Sequence, residues 1–105
     1  MRRVFQITIP LPKDKCFKLV SKSGSEIGNW RSTFTDKKNG LLEWKQGALT
    51  ATGASTIQAI LTEKGDNETA VEVNIIKPFQ LWDPARLCDR IFRKLEKSCL
   101  RNLPK

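Results

Sequence analysis

The chain has 105 residues, a length that accommodates one domain with a single hydrophobic core. Hydrophobic residues make up 39% and charged residues 29%, which are the proportions of a globular domain and argue against disorder. The net charge is +8, and the chain contains no histidine, which excludes Ser-His-Asp catalysis, Cys-His catalysis and histidine-containing zinc sites.

The cysteines and the hydropathy further restrict the class of protein to which this chain can belong. The three cysteines, Cys16, Cys88 and Cys99, are odd in number and widely spaced, so they predict neither a disulfide framework nor a CxxC metal or redox site. No apolar run approaches the roughly 20 residues that span a bilayer. We therefore expect one cytoplasmic domain, over residues 1–105, that holds no metal and no cofactor.

The first predicted elements are a strand and a short helix. Residues 3–9 alternate between apolar and polar side chains, as a half-buried strand does. Pro12 suits the first turn of a helix, where its missing N–H costs nothing. Residues 13–23 place their apolar side chains at helical spacing, and Gly24 is predicted to end the helix in the left-handed conformation.

Four further strands follow, joined by turns. The turns are predicted at residues 36–40, which end in Asn39-Gly40, and at residues 64–67. Gly53 suggests a bulge inside the longest strand. In chain order the four strands contain residues 30–35, Leu42 and Trp44, residues 49–62 and residues 69–75. Trp30, Ser32 and Phe34 are expected on one face of the first of these strands, and Thr69, Val71, Val73 and Ile75 on one face of the last.

A long amphipathic helix ends the chain. Asp83 is a suitable N-cap, Pro84 fits the first helical position, and Trp82 is placed to pack on Leu87. The helix is predicted to continue to about residue 102. One of its faces forms an apolar stripe of Cys88, Ile91, Phe92, Leu95 and Cys99.

These elements predict an α+β fold in the order β-α-β-β-β-β-α. Strands joined by short turns form an antiparallel meander, here of about five strands. One face of that sheet must be covered, and only the short helix and the long C-terminal helix are available to cover it.

This order resembles the helix-grip fold of the START-like (SRPBCC) superfamily. The resemblance is carried by the strand over residues 7–9 that runs into Pro10 and Pro12, by the short helix with Phe17, and by the strand over residues 68–73 followed by the helix from Pro84. It implies a hydrophobic ligand cavity between the sheet and the long helix, although this chain is short and lacks about two strands of the family pattern. The order also resembles the TATA-binding-protein fold, whose concave sheet face meets DNA.

Two hypotheses concern ligand binding beneath the C-terminal helix. The core is either solid or contains a small pocket for a hydrophobic ligand, and a cavity of roughly 300 Å³ would remove packing from a small core. The residues predicted to line such a pocket are Trp44, Phe79, Trp82 and Phe92.

The positive charge is concentrated at the two ends of the chain. Residues 41–83 carry more acidic than basic residues, which disfavours a sheet face that grips DNA. The basic helix faces either bind an anionic partner, nucleic acid or acidic lipid, or only solvate the surface. The predicted anion-binding residues are Arg86, Arg90, Arg93, Lys94, Lys97 and Arg101.

Catalytic patterns are missing from the sequence. Residues 21–25 lack the spacing of a phosphate-binding loop, and Glu63 and Asp66 lie in a predicted turn. We therefore expect a non-enzymatic binding or interaction domain, either monomeric or paired through an open sheet edge.

Overall fold

A computed structural model describes residues 1–47, 53–77 and 86–104. It contains seven elements, which confirm the predicted α+β class and the predicted order. They are β1 (Arg2–Ile9), α1 (Lys13–Ser25), β2 (Trp30–Asp36), β3 (Leu41–Gln46), β4 (Ser55–Gly65), β5 (Glu68–Ile76) and α2 (Leu87–Asn102).

The five strands form one antiparallel sheet in the order β1-β5-β4-β3-β2. The first strand pairs with the last, from Arg2 opposite Ile76 to Ile9 opposite Thr69. This strand order leaves β1 and β2 as the edge strands. Pairing between copies through one of these edges stays a prediction.

Both helices pack on one side of the sheet, which we call the inner face. Alternation along β5 directs its apolar residues inward, as predicted, and Thr69, Val71, Val73 and Ile75 are fully buried. The main contributions from the helices are Cys16, Phe17, Leu19 and Val20 of α1 and Cys88, Ile91, Leu95 and Cys99 of α2. The apolar stripe predicted for α2 therefore faces the core, with Phe92 only half-buried.

Gly24 does not end α1 in the left-handed conformation, so that prediction is wrong. The helix continues to Ser25, and the positive-φ glycines of the described chain are Gly40 and Gly53. A Cβ at Gly24 would overlap the Trp44 ring, with Cη2 only 2.9 Å away. The glycine therefore permits close approach of α1 to the sheet.

Two strand predictions are also corrected. β4 begins at Ser55 and not at residue 49; Gly53 precedes the strand with φ of +80°, and residues 48–52 lie outside the described residues. The irregularity in β4 falls between Glu63 and Gly65 instead.

In β2, a register shift between Ser32 and Phe34 breaks the expected alternation. It turns Phe34 away from the inner face that Trp30 occupies. Phe34 is consequently 49% exposed, whereas Trp30 is buried.

The start of α2 differs from the predicted position. Arg86 precedes the helix with φ of +51°, and the α-helix begins at Leu87. The predicted capping residues Trp82, Asp83 and Pro84 lie outside the described residues.

Candidate functional site

The helix α2 runs along β1 in the same direction, at the edge of the sheet. The rings of Phe5 and Phe92 stack with their centroids 4.6 Å apart and their planes at 7°. Further along both elements, Ile7 and Ile9 share a groove with Cys99 and Leu100. We call this junction between β1 and α2 the seam.

At one end of the seam lies an open, mainly apolar groove of about 310 Å³. β1 and the residue after it form one wall, and the last turns of α2 form the other. Its side chains are those of Ile7, Thr8, Ile9, Pro10, Glu96, Cys99, Leu100 and Leu103. Leu100 is 62% exposed, so its side chain extends the apolar surface that the other groove residues present.

The other end of the seam is polar. A cleft of about 310 Å³ is bounded by Arg3, Val4 and Phe5 of β1 and by Arg86 and Asp89 at the start of α2. Arg86 Nε lies 4.0 Å from Asp89 Oδ2 across an exposed surface, so this ion pair contributes little to stability. The seam therefore changes from apolar to charged along its length, with the stacked phenylalanines between the two ends.

A chain of buried polar contacts crosses the inner face at the end of the sheet. Trp30 Nε1 donates to Gln46 Oε1 at 2.8 Å, and Gln46 Nε2 donates to the Gly53 carbonyl at 2.7 Å. Ser55 Oγ donates to the same carbonyl and accepts from Lys77 Nζ, each at 3.1 Å. Lys77 is only 1% exposed, and its ammonium is held in a polar environment that the surrounding core otherwise lacks.

The predicted pocket residues fall in different places. Trp44 is buried beneath α1, with its ring 5.8 Å from that of Trp30, whereas Phe92 lies at the seam against Phe5. Phe79 and Trp82 lie outside the described residues. A pocket formed by this set stays a prediction.

All six predicted anion-binding residues are exposed, Arg86 just before α2 and the other five on it. Arg86 pairs with Asp89, and Arg101 lies 3.9 Å from Glu26 Oε1 while its guanidinium also donates to Ser98 Oγ at 3.3 Å. Anion binding by this set stays a prediction as well.

The three thiols lie in the core, which makes them poor nucleophiles. Burial raises the pKa of the Cys16 thiol to about 11, and the neighbouring Cys99 adds to that increase. Burial likewise raises the pKa of Cys99. Across residues 1–47, 53–77 and 86–104, no cluster of acidic and cysteine side chains has a geometry that could hold a metal ion.

Sequence reasoning missed the groove and the buried lysine. Leu100 and Leu103 fall outside the predicted core stripe of α2, and apolar residues off the stripe were the available signal for the groove. Lys77 continues the inward alternation of Val73 and Ile75, but a lysine immediately before a proline ordinarily indicates an exposed strand end.

No protein-family model and no curated protein matches this chain in sequence. Solved structures match it in fold. The di-domain aromatase/cyclase BexL, from the BE-7585A biosynthetic pathway, is 14% identical with a TM-score of 0.70; the match covers 97% of this chain and 46% of BexL. Zhui aromatase/cyclase, from a Streptomyces species, is 11% identical with a TM-score of 0.57. This match covers 97% of this chain and 86% of Zhui. Ara h 8.0201 is 13% identical with a TM-score of 0.58, and the match covers 97% of this chain and 99% of Ara h 8.0201.

These comparisons correct the expectation of a non-enzymatic domain and decide between the two fold resemblances. The expectation of a non-enzymatic domain is wrong as an inference from this architecture, because structures with the same fold include named aromatase/cyclases. The chain spans less than half of the two di-domain aromatase/cyclases that it matches. Within the described residues, no helix is both long and apolar enough to cross a membrane. The neighbours support the predicted helix-grip fold, and they give no support to the TATA-binding-protein alternative.

Proposed function

We propose that this domain binds a small, largely apolar molecule in the groove at the apolar end of the seam. The groove carries this proposal because it joins the sheet to the C-terminal helix and is lined mainly by aliphatic side chains. Its volume of about 310 Å³ falls at the lower end of the range for small-molecule sites. Thr8 and Glu96 supply the few polar groups that such sites use to orient a ligand.

The exposure of Leu100 supports the same proposal. An apolar ligand seated in the groove would remove this side chain from water, and burial of apolar surface is the main favourable term in such binding. Beside the groove, the stacked rings of Phe5 and Phe92 offer an aromatic edge to a planar ligand. Three structures that share the fold are named aromatase/cyclases, which favours an aromatic molecule or a precursor of one.

The proposal is tested by NMR titration of the full chain with naphthalene, 2-naphthol and dodecanoate, without lipid vesicles. We expect amide shifts to concentrate at Ile7, Ile9, Leu100 and Leu103. Full burial of a leucine contributes about 1.5–3 kcal/mol, and 62% of this side chain is available to be buried, so Leu100→Ser should weaken binding by about fivefold to 25-fold.

Phe34→Ser is the matched control. Phe34 is also a large, partly exposed apolar residue, but it lies on β2 at the opposite edge of the sheet. Its replacement should leave the affinity unchanged. Shifts that avoid the seam, or equal losses from both variants, would contradict the proposed site, and no saturable binding by any probe would contradict the proposed function.

A further inference from the structure

The two helices present their basic residues on one surface, because both cover the same face of the sheet. On α1, Lys15, Lys18 and Lys22 follow one another at steps of three and four residues and are exposed, whereas Cys16 and Val20 face the core. On α2 the exposed side opposite the core is basic along its whole length. We call this surface the cationic face; it consists of Lys15, Lys18, Lys22, Arg86, Arg90, Arg93, Lys94, Lys97 and Arg101.

Few carboxylates neutralise the cationic face. Arg86 pairs with Asp89 and Arg101 with Glu26, at 4.0 and 3.9 Å. The other seven cations form no ion pair with any carboxylate of the described chain. Such a concentration of one sign of charge attracts an anionic surface and lowers the stability of the free protein through self-repulsion.

The composition of the cationic face favours a lipid surface over nucleic acid. It contains no aromatic side chain on which an unpaired base could stack. Leu100, 62% exposed, lies three residues after Lys97 and at the margin of the face, and exposed Pro104 follows at the end of α2. Basic residues combined with exposed apolar side chains are typical of helices that lie at a membrane interface.

We propose that the cationic face docks the domain on an anionic lipid bilayer. Lysines and arginines would lie against the head groups, and Leu100 would enter the boundary with the acyl chains. Two helices side by side on a sheet form a broad surface that suits a plane better than a groove. This inference is independent of ligand binding, since vesicle association requires no occupant in the seam.

The test is co-sedimentation of the full chain with phosphatidylcholine vesicles, with and without about 30% phosphatidylserine, at about 50 mM salt. We expect binding to the anionic vesicles alone, and its loss at about 500 mM salt, where the Debye length falls to a few ångströms. Each basic residue near an anionic leaflet contributes about fivefold to the affinity, so Lys94→Glu with Lys97→Glu should weaken binding at least about 30-fold.

Lys45→Glu with Lys64→Glu is the matched control. It changes the net charge equally, but both lysines are exposed on β3 and β4 and do not belong to the cationic face. Vesicle binding that survives in this control and is lost in the α2 variant supports the cationic face. Equal losses in both would show an effect of net charge only and would overturn the proposal.

Two further measurements separate lipid from nucleic acid. Leu100→Ser should reduce vesicle binding severalfold while leaving retention on heparin unchanged, because heparin senses charge alone. A duplex DNA of about 20 base pairs should bind more weakly than the vesicles at the same salt concentration. Absence of vesicle binding, or tighter binding to the duplex through the same lysines, would overturn the proposal.

Discussion

Gly24→Ala is predicted to destabilise the protein, against the usual preference for alanine in a helix. In an unconstrained helix interior this change stabilises by about 0.5–1 kcal/mol. Here the added Cβ would lie 2.9 Å from Trp44 Cη2 and closer still to Cζ2 and Cε2. Carbon atoms in contact are ordinarily separated by about 3.5–4.0 Å, so α1 or the Trp44 ring must move by more than about 1 Å.

That movement has little room. Trp44 is 1% exposed and lies against Trp30, whose own Nε1 is held by Gln46. Overpacking of a closed core typically costs about 1–3 kcal/mol. We therefore expect Gly24→Ala to lower the free energy of unfolding by about 1–2 kcal/mol after its helical gain is included.

Urea denaturation followed by far-UV circular dichroism measures this change without depending on tryptophan fluorescence. Ser25→Ala, at the next and exposed position of α1, is the control and should be nearly neutral. In a Trp44→Phe background, where the benzo ring is absent, Gly24→Ala should cost at least about 1 kcal/mol less. The reasoning is refuted if Gly24→Ala is as stable as the parent, or if its cost is the same in both backgrounds.

Three further predictions follow from local geometry. Gly40→Ala should lower the free energy of unfolding by about 1–3 kcal/mol, because φ is +66° and the new Cβ would lie 2.8 Å from the Leu61 carbonyl. Trp30→Phe should lower the free energy of unfolding by at least about 2 kcal/mol through lost packing and loss of the hydrogen bond from Trp30 Nε1 to Gln46 Oε1, and urea denaturation measures this change as well. The pKa of the Cys16 thiol is raised from 9.0 to about 11, so the stability that its protonated form contributes is complete below pH 9 and is lost as the pH rises towards 11. The difference in free energy of unfolding between the parent and Cys16→Ala, measured at pH 8 and at about pH 10.5, gives the size of this loss.

Each of these has a control or a contradicting result. Gly28→Ala, where the structure leaves open space around the new Cβ, should be neutral where Gly40→Ala is not. Full stability of Trp30→Phe would show that the indole hydrogen bond is not needed. Rapid labelling of Cys16 by a disulfide reagent in the native protein at pH 8 would contradict its protonated, buried state.

The strands, the order of elements and the core face of α2 were predictable because they follow from periodicity. Alternation over residues 69–75 and helical spacing from Cys88 to Cys99 each require only a local pattern and burial on one side. The class of a sheet covered by two helices follows directly, since no other element of the chain can bury the apolar face.

The errors occurred where a residue serves a distant neighbour. A glycine such as Gly24 is typical of a helix end, yet here the glycine is needed because any Cβ would overlap the ring of Trp44, twenty residues later. Phe34 continued an apparent alternation that a bulge on the edge strand interrupts. Lys77 is buried where Ser55 Oγ, more than twenty residues earlier, accepts a hydrogen bond from its ammonium. None of these relations is expressed in the local sequence.

The two helices approach the sheet in different ways, and that difference explains where the candidate site lies. α1 presents Gly24 to the sheet and closes tightly over Trp44, which leaves no space beneath it at that point. α2 instead places Phe92 on Phe5, and we infer that the two stacked rings hold its last turns away from β1. The apolar groove forms in the gap that results, next to the helix whose outer side is basic. A smaller residue at position 92 should therefore narrow the groove, and Phe92→Leu should weaken probe binding even though residue 92 does not line it.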